Sequence, residues 1–285
     1  MLYDITYLLL FSCKGVVGLK QRIVDVVLFM GQSNMAGRGI ADMASQVQPG
    51  MGYEYRAITA PNRLTLLQEP FGKDENNPNG VYEPGMKTGS MVSAFVNACT
   101  ARTGIPIVGV SCAKGGSSIA EWLPGTAYYQ DAVQRTKQCR QYLDLQGYHV
   151  RRQYMLWCQG CTDGDLHTDP EMYQTATEKM LHQFMREASM EVCFLIQIGN
   201  HRDDPKLYVP IQQAQQAQEA LAAEYEDIVM VSRQFKTFAA RHLMKDEFHY
   251  LQPGYDLVGG EAGAVVGEYW MAHPVHSCES MGTHC

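Results

Sequence analysis

Ser33 lies in the run Gly31-Gln32-Ser33-Asn34-Met35-Ala36-Gly37, directly after an apolar burst, and Asp246-Glu247-Phe248-His249 lies near the other end of the chain. A serine hydroxyl attacks well only when a base takes its proton, and an imidazole base needs a carboxylate to fix its tautomer. Asp246 and His249, three residues apart on one tight turn, can supply both from a single segment. Of the nine histidines, His182 falls in a helical stretch and His273, His276 and His284 in the tail, which leaves His249 in a loop suited to catalysis. Each piece has a plainer reading alone. Ser33 could simply cap a helix, and D-x-x-H pairs recur by chance.

Two further segments could serve the same chemistry. Gly115-Gly116-Ser117-Ser118-Ile119 and Trp157-Cys158-Gln159-Gly160 each follow a strand-like run. Acyl transfer develops negative charge on a carbonyl oxygen, and preorganised N–H donors stabilise it. The backbone N–H groups of Ser33 and Gly116 and the side-chain amide of Gln159 are the candidates. The alternatives are a tight Gly-Gly turn and a loop amide satisfied locally.

The elements that must position these residues are legible as a repeating pattern. Apolar, β-branched runs at residues 24–30, 107–111, 154–157, 192–198 and 228–231 read as five strands. Their lack of polar alternation implies a sheet covered on both faces, hence parallel and α/β. Residues 90–102, 129–145, 211–225 and 254–271 read as helices between them. Another begins at Asp169-Pro170-Glu171, where a capping carboxylate precedes a proline and an acid in the first turn. Met172, Ala176, Met180, Phe184 and Ala188 follow at helical spacing and are expected to form its buried stripe. The alanines among Gln212 to Gln218 make that stretch a surface helix. Residues 40–89 and 200–210, rich in Gly, Pro, Asn and Asp, read as irregular loops, where substrate contacts tend to lie. The expected plan is one doubly wound domain over residues 24–272, with an extension at 1–23 and a tail at 273–285. Ser33 then stands at the carboxyl edge of the sheet, where open α/β sheets bind ligands, with a helix N-terminus aimed at the same spot.

In this order the four segments resemble the SGNH hydrolases, and the G-Q-S-N-M block resembles the sialate O-acetylesterase and acetylxylan esterase branch. The likeness runs over residues 24–272. It implies a three-layer α/β/α sandwich, flavodoxin-like, with about five parallel strands. It also implies a serine esterase removing O-acetyl groups from carbohydrate, sialic acid before xylan. The family roles fall on Ser33 as nucleophile, on Asp246 and His249 as acid and base, and on Ser33, Gly116 and Gln159 as the oxyanion hole. No G-x-S-x-G elbow is present, which separates the chain from the α/β-hydrolases. A general short-chain esterase and a weakly active carbohydrate-binding relative remain open alternatives. Where the family reads Q-G-E, this chain has Gln159-Gly160-Cys161. Arg38 is the expected partner of the missing carboxylate, so Cys161→Glu is expected to fold and to raise kcat. Arg38, Arg56 and Arg202 are candidates to pair a substrate carboxylate, or ordinary surface residues.

Composition narrows the remaining possibilities. A net charge of −7 and a pI near 5.7, without any basic block, argue against a nucleic-acid partner. The nine scattered cysteines fit reduced thiols. The C-x-x-C of Cys158 and Cys161 lacks a second ligand pair, and His276, Cys278, His284 and Cys285 crowd one end, so neither a metal nor another cofactor is expected. The apolar run at residues 7–11 is too short to span a bilayer and has no basic residue before it. The expectation is a chain outside the membrane, in the cytoplasm, with its oligomeric state open.

Overall fold

A computed structural model describes residues 22–201 and 205–274. At its centre is β1 (Arg22–Gly31), a ten-residue strand whose side chains are buried from Val24 onward. It is flanked on one side by β4 (Ile107–Ala113) and on the other by β5 (Tyr148–Cys158), both parallel to it. Beyond β5 lie β6 (Cys193–Ile196) and β7 (Ile228–Ser232), also parallel. These are the five strands read from the sequence, in the flavodoxin-like order with β1 second from one side.

The sheet is larger than expected. Beyond β4 it continues into β2 (Gly52–Tyr55), parallel, and β3 (Leu64–Leu66), antiparallel, giving seven strands. Both fall inside residues 40–89, read above as irregular. Neither shows an apolar burst: β3 is a three-residue edge strand only partly covered, and β2, paired on both sides and largely buried, is four residues long and includes a glycine and a glutamate. The middle of β2 even carries a buried glutamate, Glu54, whose Oε2 accepts from Arg56 Nε at 2.7 Å.

Alternate side chains of β1 go to opposite layers, as the period of two requires. Val26, Leu28 and Met30 join a core with α3 (Ala127–Leu145), α5 (Pro170–Ala188) and α6 (Pro205–Glu224). Val27 and Phe29 join a second core with α2 (Val92–Thr103) and α7 (Gln252–Ala272), which pack on each other. The result is the expected three-layer sandwich. Asp25, the one acid in the apolar run of β1, is buried and paired with Arg151, Nε to Oδ1 at 2.9 Å.

Helix signals held where their physics is local. Asp169 caps α5 by accepting from Met172 N at 3.0 Å, with Pro170 at the first position. Two side-chain readings need correcting. Of the expected stripe Met180, Phe184 and Ala188 are buried and Ala176 partly so, but Met172 is exposed, and Tyr173, Thr177, Leu181 and Met185 widen the buried face on its other side. In α6, Gln215 and Gln218 are buried rather than on a surface. Their amides are satisfied by protein: Gln215 Nε2 donates to Ile198 O, and Gln218 Nε2 to Gln159 O. The helix also starts earlier than read, running through Pro210 near its N-terminal end, where a proline forfeits only one ladder bond.

Candidate active site

The loops leaving β1, β4 and β5 are stitched together at the carboxyl edge. Gln32 N donates to Cys158 O and Lys114 N to Gly31 O, both at 2.9 Å. Gly31 has to be glycine: its φ is +140°, and a Cβ there would stand 2.1 Å from the Cys158 carbonyl oxygen. The four-residue helix α1 (Ser33–Ala36) starts at once, so the Ser33 N–H is one of the donors a helix leaves without an internal partner.

Ser33, His249 and Asp246 converge across 216 residues of chain. Ser33 Oγ lies 3.0 Å from His249 Nε2, and His249 Nδ1 lies 3.0 Å from Asp246 Oδ2. With Nδ1–H donating to the carboxylate, Nε2 presents its lone pair to the hydroxyl. The other carboxylate oxygen accepts from the backbone N–H groups of Phe248 and His249, each at 2.9 Å. Partial burial works against the ionised form of Asp246, but these hydrogen bonds and the His249 ring outweigh it and hold the carboxyl below its ordinary range.

Several residues not singled out from the sequence hold this geometry. Asn34 Nδ2 donates to Phe248 O at 3.2 Å, tying α1 to the histidine turn, and its Oδ1 accepts from Tyr255 OH at 2.8 Å. Gln32 Oε1 accepts from Gly160 N and Cys161 N at 2.8 and 2.9 Å, which fixes the loop after β5. Glutamine and asparagine flanking a serine after a strand were the available signal.

Ser33 and His249 open on a cavity of about 530 Å³ that is also lined by Arg38, Tyr82, Glu83, Met86, Lys114, Gly116, Cys161, Asp165 and Phe248. A hollow of about 590 Å³ at residues 41–52 and 66–69 shares none of these. Gly116 lines the cavity with a left-handed φ of +68° and open space where a Cβ would be.

Gln159 is not where an oxyanion donor must be. Its side chain is fully buried and does not line the cavity. Its two amide hydrogens go to Ser117 O at 3.0 Å and to Asp163, one turn along α4 (Cys161–Asp165). An ionised or strongly polar acceptor so close captures the amide, and Gln159 becomes a brace under the Gly116 loop. Burial raises the Asp163 carboxyl, against the hydrogen bonds from Gln159, Ile119 N and Thr168.

The arginine candidates separate. Arg38 lines the cavity but is paired with Glu83, and its Nη1 donates to Gly37 O at 2.9 Å. Arg56 is held by Glu54 and does not line the cavity, and Arg202 lies outside the described residues. Glu83 also accepts from Gly115 N at 2.9 Å. Arg38 therefore already has a carboxylate, supplied from the loop before α2 and not from position 161. The Cys161 thiol is buried beside the Asn34 side chain, and burial, with Asp165 nearby, pushes it up to about 12. A thiol so shifted is almost wholly protonated at neutral pH, which makes it a poor nucleophile. Six cysteines within the described residues are unpaired, and no cluster that could hold a metal occurs among those residues. His276, Cys278, His284 and Cys285 lie outside them. Among the described residues no helix is long and apolar enough to cross a membrane.

Residues 23–262 match the family model described as carbohydrate esterase, sialic acid-specific acetylesterase. The chain belongs to this family. The esterase is 28% identical to a probable carbohydrate esterase of Arabidopsis thaliana over 192 residues, which is 61% of this chain and 68% of that one. The X-ray structure of an Arabidopsis thaliana protein superposes with a TM-score of 0.63 at 21% identity, covering 88% of this esterase and 98% of that chain. A carbohydrate acetylesterase from Xanthomonas citri gives a TM-score of 0.55 at 18% identity, covering 86% of this esterase and 56% of that chain. Both structural likenesses speak to the fold.

Proposed function

We propose that this esterase removes O-acetyl groups from a carbohydrate, sialic acid being the first candidate, by acyl transfer through Ser33. The observation that carries the reading is the unbroken Ser33–His249–Asp246 hydrogen-bond chain at the edge of a cavity large enough for a sugar. His249 Nε2 takes the Ser33 proton as Oγ attacks the acetyl carbonyl. In this reading the N–H groups of Ser33 and Gly116 receive the developing oxyanion, without the Gln159 amide. His249 then protonates the departing sugar oxygen, and water attacks the acetyl-serine by the same route to release acetate. On the same reading Tyr82, which lines the cavity and is 50% exposed, supplies an aromatic contact for the sugar ring.

Acetate release should be measured from O-acetylated sialosides, acetylated xylan and p-nitrophenyl acetate, with wild type and Ser33→Ala side by side. The reading expects turnover of at least one acetylated sugar and a loss on the order of 10⁴ in kcat for the variant. Turnover of p-nitrophenyl acetate alone would point to a general short-chain esterase. No turnover of any ester would point to a binding protein.

A further inference from the structure

The charged side chains lining the cavity are not equivalent. Arg38 and Glu83 are paired with each other. Asp165 has its Oδ1 2.6 Å from Nε2 of His201, a buried ring that meets Phe248 edge-on. Lys114 is the lining cation that has no acidic partner among the described residues. It is half-buried, and its place is fixed by the backbone. It follows the last residue of β4, and its N–H is bonded to Gly31 O at 2.9 Å. Its Nζ donates to Gly115 O at 2.7 Å. An ammonium has three hydrogens, so two remain to be directed at a ligand. A cation in the cavity wall without a counter-charge attracts an anionic group of a ligand bound there.

Position matters as much as charge. Lys114 is two residues before Gly116, so it sits on the same loop as a proposed oxyanion donor. A ligand whose acetyl carbonyl rests against Ser33 and Gly116 occupies the same cavity that Lys114 lines. We infer that Lys114 is the specificity-determining residue of this site, binding a carboxylate carried by the sugar to be deacetylated. This rests on the acetylesterase reading above and assigns its substrate preference to one residue, in place of Arg38, Arg56 or Arg202.

The test is the ratio of kcat/KM for an O-acetylated sialoside to that for an O-acetylated neutral xylo-oligosaccharide, in wild type, Lys114→Met and Lys114→Arg. The inference expects the ratio to fall at least ~10-fold in Lys114→Met, through KM rather than kcat, and to recover in part in Lys114→Arg. Unacetylated N-acetylneuraminic acid, but not its methyl ester, should inhibit p-nitrophenyl acetate hydrolysis competitively in wild type, and less well in Lys114→Met. A ratio that stays the same in Lys114→Met overturns the inference, even if both rates fall together. Absence of turnover by the wild type on every ester would instead overturn the acetylesterase reading, and the inhibitor's binding, measured directly by calorimetry, would still decide the role of Lys114.

Discussion

Glu83 binds two things at once, the Arg38 guanidinium and the Gly115 N–H, and so joins the loop before α2 to the loop that carries Gly116. Glu83→Gln keeps a side-chain oxygen for Gly115 N–H while removing the charge. Both members of the ion pair are buried, their side chains 10% and 5% exposed. Removing one partner of such a pair strands the other charge and costs about 3–5 kcal/mol. Because the glutamine still accepts from Gly115, the lower end, about 3 kcal/mol, is expected. For a chain of this length that is a fall of roughly 6–10 °C in Tm by differential scanning calorimetry. Activity should fall as well, with kcat affected more than KM, since Arg38 and the Gly116 loop both line the cavity at the reacting end. The double variant Arg38→Gln/Glu83→Gln should recover part of the stability, because no stranded charge remains. A Tm within about 2 °C of wild type for Glu83→Gln would refute the reasoning, showing that the pair is hydrated and that the cavity wall does not depend on it.

Other outcomes follow from the same contacts. Cys161→Glu, expected from the sequence to help, should lower both Tm and kcat: Arg38 is occupied, Asp163 and Asp165 are close, and a carboxylate buried without a cation costs roughly 3 kcal/mol or protonates. A thermal scan and a kcat measurement on that variant check it, and a gain in both would restore the Arg38 pairing. Asp246→Asn should retain the turn through its remaining carbonyl oxygen yet favour the wrong His249 tautomer, lowering kcat on the order of 10⁴, as steady-state assays will show. Lys87 is buried against Ser111 Oγ at 3.0 Å, and burial, then Arg135, lowers its ammonium from 10.5 to about 8. Between those values the unfolded chain binds more protons than the folded one, so folded stability rises with pH across this window. Denaturant titrations of wild type against Lys87→Met should show wild type gaining roughly 3 kcal/mol on the variant from about pH 8 to about pH 10.5.

The sequence disclosed the elements whose signals are local and strong. Five apolar runs became β1, β4, β5, β6 and β7, and Asp169-Pro170 became the cap of α5, because burial on two faces and capping each leave a residue-level trace. Ser33, Asp246 and His249 were legible because acyl transfer demands those residue types, Ser33 standing where β1 ends and the other two on the turn before α7. What escaped was set by long-range partners. β3 escaped because it is a short edge strand, and β2 because its four residues include a glycine and a buried glutamate held by Arg56, so residues 40–89 contain more regular structure than their glycines and prolines suggest. Gln215 and Gln218 look like surface residues, yet are buried because backbone carbonyls of distant loops await their amides. Gln159 was assigned by its neighbours in the block, whereas Asp163 one helical turn away takes its amide. Glu83 gave no signal at all, since its meaning depends on Arg38, 45 residues earlier in the chain.

The proposed acyl transfer requires Ser33 to be the activated nucleophile. Incubating the esterase with a fluorophosphonate and mapping the adduct by peptide mass spectrometry tests this directly. The expected result is one adduct per chain, on Ser33, with loss of activity in step with labelling and no labelling in His249→Ala on the same timescale. An adduct on another serine, or full esterase activity in the labelled protein, would contradict it.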